Sequence, residues 1–278
     1  MALYAFNGTW NEDEVDEGQD TNVVKFRDAY TDRIFYLEGI GTRLGFIGKI
    51  LGGLTGVGGR VRVREALEQL DRNFADGDRA IDIVGFSRGA ALALHFANEI
   101  QEDKGGAEIR FLGLWDVVAS FGIPGNDINI GWTLTLPPNV RKCYHAMALD
   151  ERRGGFPLTR IQTAAGSLSS TGRLQEVWFR GVHSDVGGSA SLGLSSIALC
   201  WMLQRAKENG LPIAETKIRE YEALRDATAL VSKNFDPQLD PPRRIAQGDA
   251  VHESVQPRGN AGGTEHNNPP PGTVIVRG

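Results

Sequence analysis

The pentapeptide Gly85-Phe86-Ser87-Arg88-Gly89 constrains this chain more than any other feature. It stands between the largely apolar run Ile81–Val84 and the small-residue run Ala90-Ala91-Leu92-Ala93. The first reads as a buried strand and the second as the opening of a helix. The join must turn from strand to helix within a residue or two. Such a turn strains the backbone of its central residue and leaves no room for side chains beside it, a need that Gly85 and Gly89 meet. It lifts the Ser87 hydroxyl above the sheet edge. The helix-opening amides, beginning with that of Arg88, then point where an oxyanion would develop. Ser87 is the candidate nucleophile and the Arg88 N–H a candidate oxyanion donor.

A serine nucleophile needs a base, and the base an orienting carboxylate. Of the five histidines, His95 falls inside the nucleophile helix, His145 in a segment of mixed character, and His252 and His266 in the irregular C-terminal stretch. His183 follows the short strand Val177–Phe179, within Arg180-Gly181-Val182-His183-Ser184-Asp185-Val186-Gly187-Gly188. A glycine-rich loop just past a strand end is where a base belongs, and His183 is the candidate. The acid is expected at a strand end between Ser87 and His183. Asp116 meets this directly after the apolar run Ile109–Trp115. Asp150, in the charged turn Asp150-Glu151-Arg152-Arg153, is the rival and better suited to ion pairs. Asp185, two residues from His183, is expected to support the loop. A second oxyanion donor comes from a loop after an early strand, which points to Gly8 and Thr9 after Leu3–Phe6, with an ordinary turn as the competing reading.

Along the chain, apolar strands alternate with helices. Strands are expected at 3–6, 34–37, 81–85, 109–115 and 177–179. Helices are expected at 61–73 and 90–101, around Leu194–Trp201, and as a polar helix over 213–230. That order predicts an α/β fold with a mostly parallel sheet covered by helices on both faces. Residues 12–20 carry six acidic side chains and read as a solvated loop. Glycine makes up 35 of 278 residues, well above the typical about 7%. Nine of these glycines fall in Gly39–Gly59, interspersed with apolar residues. That segment reads either as an apolar flap over the site or as a packed loop. Seven of twelve prolines lie in 234–278, so the chain divides into a domain over 1–233 and a Pro-rich, irregular tail packed on it or partly disordered.

A net charge of −5 gives no general attraction to nucleic acid. Cys143 and Cys200 lack zinc-ligand spacing and are expected as two buried thiols, with neither metal nor cofactor required. No run is long enough to span a membrane, and no basic n-region precedes an apolar run at the N-terminus. The expectation is a cytoplasmic protein, or one exported without a cleavable signal peptide, with peripheral contact the only membrane contact expected.

Four segments in order carry a family likeness: Phe6-Asn7-Gly8-Thr9-Trp10-Asn11, Gly85-Phe86-Ser87-Arg88-Gly89-Ala90, Leu112-Gly113-Leu114-Trp115-Asp116-Val117-Val118, and Trp178-Phe179-Arg180-Gly181-Val182-His183-Ser184-Asp185-Val186-Gly187-Gly188. Supporting matches are 36–42, 145–152 and 251–255. The chain resembles the α/β-hydrolase family whose best-known members are type VI secretion phospholipase effectors, over about residues 3–256. The resemblance implies an α/β-hydrolase fold and a Ser87–Asp116–His183 triad. It implies hydrolysis of acyl esters, with glycerophospholipids as the best-known substrates. The family usually has Asp where this chain has Asn7, and its secreted effectors commonly carry a large extra membrane-binding region not matched here. Two other readings stay open: the same triad acting on a thioester or another non-phospholipid ester, and a non-catalytic binding module on this fold.

Overall fold

A computed structural model of the chain describes residues 1–8, 20–38, 56–119, 132–163, 172–233, 239–259 and 266–278. The acidic stretch at 12–19, most of the glycine-rich segment (39–55) and Thr9 lie outside the described residues. Among those described, β1 (Ala2–Phe6), β2 (Arg33–Leu37), β3 (Ile81–Phe86), β4 (Ile109–Trp115), β6 (Cys143–Ala148), β8 (Leu174–Phe179), β9 (Ala250–His252) and β10 (Val274–Val276) form one sheet. Its order is β10-β9-β8-β6-β4-β3-β1-β2, and every pairing is parallel. A two-stranded pair, β5 (Thr135–Leu136) with β7 (Gln162–Thr163), lies apart from it. The fold is α/β, as its sequence predicts.

Parallel strands need helices on both faces, because each face is apolar. Alternate residues of β1 divide accordingly. Tyr4 and Phe6 pack with Val63, Ala66 and Leu70 of α2 (Gly56–Ala75) and with Phe96 and Ile100 of α3 (Arg88–Asp103). Leu3 and Ala5 face the other core, with Phe26 of α1 (Asn22–Ala29), Trp201 of α5 (Leu192–Glu208), and Ile218 and Tyr221 of α6 (Glu215–Glu222).

The helices depart from the expected ones in three places. The α2 helix begins inside the glycine-rich segment, five residues before the first residue of the expected helix. Gly59 explains why glycine is used there: a Cβ would meet the Trp132 ring at 2.7 Å and Leu92 at 3.0 Å, so the helix packs closer than a side chain allows. The α1 helix has no apolar stripe to announce it, because Asn22 and Lys25 are buried along with Val23, Val24 and Phe26. Its one local signal is Thr21, whose hydroxyl accepts the Val24 N–H at 3.4 Å as an N-cap. The expected polar helix over 213–230 is helical only at Glu215–Glu222. The Pro-rich tail is also not irregular throughout, since it adds β9 and β10 to the main sheet.

Cys143 and Cys200 are free, buried thiols, and burial raises the Cys200 thiol to about 12. No helix among the described residues is long and apolar enough to cross a membrane.

One polar side chain lies inside the β3 run. Asp82 is fully buried and accepts from Tyr30 Oη at 2.9 Å and Arg110 Nε at 2.9 Å, with a further Arg110 Nη2 contact. A carboxylate in an apolar sheet is tolerated only when paired in this way. Replacing Arg110 with Ala is therefore expected to destabilise the fold by about 3 kcal/mol, read as a lower urea midpoint. Pairing Arg110→Met with Asp82→Leu should recover much of the loss.

Candidate active site

The site is assembled where three strands end. Ser87 follows β3 directly, with φ 60 and ψ −129, a conformation that L residues rarely adopt. It is held there from both sides. Its N–H donates to Trp115 O at 3.0 Å, and its carbonyl accepts from Ala90, Ala91 and Val118 N–H groups at 3.1, 3.3 and 3.3 Å. A Cβ on Gly89 would come within 2.4 Å of both the Phe6 and Asn7 carbonyl oxygens, so the start of α3 is pressed against the end of β1. A Cβ on Gly85 would meet Ala90 Cα at 2.7 Å. Both glycines of the pentapeptide are thus required by close backbone approach.

Asp116 follows β4, the sheet neighbour of β3, and also has positive φ, at 40. Its carboxylate is fully buried and receives four hydrogen bonds. Oδ1 accepts from Ala148 N at 2.8 Å and Arg243 Nη1 at 2.7 Å. Oδ2 accepts from His183 Nδ1 at 2.6 Å and Arg243 Nη2 at 3.1 Å. Burial alone would raise its pKa, but Arg243 and His183 outweigh it and hold the carboxyl well below the ordinary range. Asp116 is therefore an anion at neutral pH.

His183 opens the short helix α4 (His183–Gly187), four residues past the end of β8. Its imidazole lies between two rings, Phe86 at 4.6 Å and Phe156 at 4.7 Å between centroids. Phe86 immediately precedes Ser87, so the end of β3 also packs against the histidine. Gly187 makes this possible, because a Cβ there would stand 1.9 Å from the Phe86 ring. Burial lowers the His183 pKa, and Arg243 adds to this; Asp116 and Glu151 act in the opposite direction without overcoming it. With its Nδ1–H donating to the Asp116 carboxylate, the neutral ring keeps Nε2 as an acceptor. Ser87 and His183 are each 4% exposed, so the centre is shielded from bulk water.

The remaining sequence candidates separate cleanly. Asp150 serves the turn that leads to the histidine. It pairs with Arg180 Nη1 at 2.7 Å and accepts the Gly181 N–H at 2.7 Å, which fixes the turn before the histidine. Glu151 accepts the His183 N–H at 3.0 Å and pairs with Arg153. Asp185 is fully buried. It accepts N–H groups of Val182, Ser191 and Ser232 at 3.0, 3.1 and 2.9 Å and the Ser232 hydroxyl at 2.5 Å, tying the loop to the chain after α6.

Arg88 opens α3, and burial pushes its guanidinium down to about 10, still protonated at neutral pH. Gly8 lies past β1 as expected, but its N–H donates to Asn7 Oδ1 at 2.9 Å. In this structure that amide is engaged by its neighbour's side chain. Asn7 also accepts from the Thr21 hydroxyl and donates to Tyr36 Oη, both at 2.8 Å.

His145 is a structural residue beneath the Asp116 turn. Its Nε2 accepts the Val117 N–H at 3.1 Å, and its Nδ1 bonds Glu176 at 2.9 Å. Arg243 is the residue at this site that sequence reasoning missed. It lies in the Pro-rich stretch, outside every motif, and only the fold brings it to Asp116.

The family model for the catalytic domain of Tle1-like type VI secretion system phospholipase effectors matches residues 3–102 and 95–205. Among solved structures, an uncharacterized protein from Pseudomonas aeruginosa is similar over 80% of this chain, with 24% identity and a TM-score of 0.62. The Tle1 effector bound to the VgrG spike of a type VI secretion system is similar over 67% of it, with 26% identity and a TM-score of 0.49. This chain spans 48% and 50% of those two chains, about half of each. No curated protein matches it in sequence.

Replacing Gly89 with Ala forces a methyl group onto the Phe6 and Asn7 carbonyls. The expected cost is about 2–3 kcal/mol, measured by chemical denaturation, with the serine turn displaced in whatever protein remains folded.

Proposed function

Given that the chain belongs to the family of Tle1-like type VI secretion phospholipase effector catalytic domains, we propose that it is a serine hydrolase that cleaves acyl esters of lipids, glycerophospholipids foremost. The observation that carries this reading is the 2.6 Å hydrogen bond from the buried His183 to the buried Asp116, beside a strained serine at the end of the adjacent strand.

In this mechanism Ser87 Oγ attacks the acyl carbonyl while His183 Nε2 takes its proton. Asp116 holds the ring in the tautomer that leaves Nε2 free and stabilises the imidazolium that forms. The carbonyl oxygen becomes an oxyanion, stabilised by the Arg88 N–H at the helix start. A second N–H is needed. Gly8, whose N–H now donates to Asn7 Oδ1, or Thr9 is the candidate to supply it. The imidazolium then protonates the leaving alcohol, releasing a lysolipid in the phospholipid case. Water, activated by the same histidine, clears the acyl-enzyme.

Asp185 supports the loop that carries the base. No step calls on a metal or cofactor. Contact with the lipid is peripheral, and the same proposal has the protein act in the cytoplasm or after export.

Ser87→Ala is expected to lose p-nitrophenyl ester hydrolysis by about a thousand-fold or more while remaining folded. Lipid mass spectrometry after incubation with mixed phospholipids should show fatty acid and lysophospholipid released by the unaltered protein alone. Unchanged hydrolysis in Ser87→Ala would overturn the mechanism. The base must be neutral to act, and burial lowers its pKa. The rate is therefore expected to rise with pH through a midpoint below the ordinary histidine value of about 6.5 and to level off near neutrality. A midpoint above that value would count against His183 as the base.

A further inference from the structure

A triad carboxylate needs one partner, the histidine, and its remaining lone pairs are commonly satisfied by backbone amides or water. Here a guanidinium from a segment 127 residues away takes both oxygens at once. Each of its terminal nitrogens is also committed to a backbone carbonyl: Nη1 to Ala148 O and Nη2 to Phe156 O, both at 2.8 Å. The Ala148 amide bonds the same carboxylate, and Phe156 lends its ring to His183.

Arg243 therefore joins the acid, the end of β6 and the residue that packs on the base. Its own backbone is held in turn, since its carbonyl accepts from Asn267 Nδ2 at 2.8 Å. Asn267 reaches across to Leu149 O at 3.0 Å, and its N–H donates to Asp150 at 2.9 Å. The segment is a strap, anchored further on by β9 against β8 and by Asp249, which pairs with Arg160 and accepts from Trp178 Nε1 at 3.0 Å.

We propose that Arg243 is a positioning residue of the catalytic centre, delivered by the C-terminal strap, which fixes the Asp116 carboxylate toward His183 and places a permanent positive charge behind it. This rests on the Ser87–Asp116–His183 reading above. Without Arg243 each carboxylate oxygen keeps one donor, the Ala148 N–H on Oδ1 and His183 on Oδ2; the bidentate guanidinium adds a second donor to each and braces that orientation.

The charge acts on the histidine in a definite direction. The charged groups facing His183 are Asp116 at the end of β4, Glu151 in the turn after β6, itself paired with Arg153, and Arg243 on the strap. The two carboxylates favour the imidazolium, and Arg243 disfavours it. Removing Arg243 takes away the one positive charge set against the two carboxylates and leaves burial alone to oppose them, so the imidazolium becomes easier to form and the base is lost to protonation at higher pH than before.

The test compares the full chain with Arg243→Gln and Arg243→Lys. The His183 Cε1–H signal is followed by NMR against pH and assigned by its loss in His183→Asn. This readout needs no substrate, so it stands whether or not the protein proves to be a hydrolase, and Ser87→Ala tests that separately. Arg243→Gln is expected to raise the His183 midpoint by about one pH unit. Where ester hydrolysis is measured, the acid limb of the profile should move with it, and kcat should fall about tenfold with KM little changed. Arg243→Lys keeps the charge but loses the fork, so its midpoint should stay near that of the unaltered protein while kcat falls. A purely structural role would scale the rate equally at every pH and leave the midpoint in place. An unmoved His183 midpoint in folded Arg243→Gln overturns the proposal. If that variant does not fold, a wild-type kcat in Arg243→Lys overturns it instead.

Discussion

The buried Asp116 carboxylate is the interaction on which the rest of the site depends. An anion with no exposure to water is tolerated only if every lone pair is met, and four donors meet it. Those donors come from residues 148, 183 and 243, so one charge draws together the end of β6, the start of α4 and the C-terminal strap. Around it lies a second layer of the same kind. Asp150, Glu151, Glu176 and Asp185 are all buried, and each is satisfied by arginine or by backbone amides. The loops at the carboxyl end of the sheet are thus tied by acidic side chains as well as by small apolar clusters such as Val182, Leu194 and Val231. Charge-assisted bonds of this sort fix direction as well as distance.

Strain is concentrated in the same place. Ser87, Asp116 and Ser189 are the non-glycine residues with positive φ among those described, and two of them end neighbouring strands. Each such conformation costs of order 1–3 kcal/mol and persists only where the surroundings over-determine it. For Ser87 those surroundings are backbone: the Trp115 carbonyl below, three N–H groups on its own carbonyl, and two glycines that let α3 approach β1. For Asp116 they are chiefly the hydrogen bonds to its side chain, with its own N–H on the Ala146 carbonyl at 2.8 Å. The hydroxyl and the carboxylate are thus presented by different means, one by turn geometry and the other by electrostatics.

These means differ in how far they can be read from sequence. The serine turn is a local matter of strand, glycines and helix within about ten residues, so Ser87 and its strand and helix are legible. Asp116 and His183 are legible because each ends an apolar run. Helix α1 is not, because its buried Asn22 and Lys25 erase the apolar stripe on which such readings rest. The start of α2 is hidden by glycines that look like a loop until Trp132 is seen against Gly59. Gly8 was legible as a position but not as a state, since the orientation of its amide depends on the Asn7 side chain. Arg243 is out of reach altogether. Nothing nearby in the chain marks it, and its partner lies 127 residues earlier.

That separation has a temporal meaning. A chain made from its N-terminus presents the serine turn, the acid and the histidine loop before the strap exists. The β3–α3–β4 segment can form from contacts close in sequence, whereas closing a loop of this length comes late. Until residues 239–259 dock, Asp116 lacks two of its four donors, and β8 lacks its neighbour β9. The centre is therefore among the last parts of the molecule to reach its final geometry, and a nascent or partly folded chain carries Ser87, Asp116 and His183 without the alignment of the folded one.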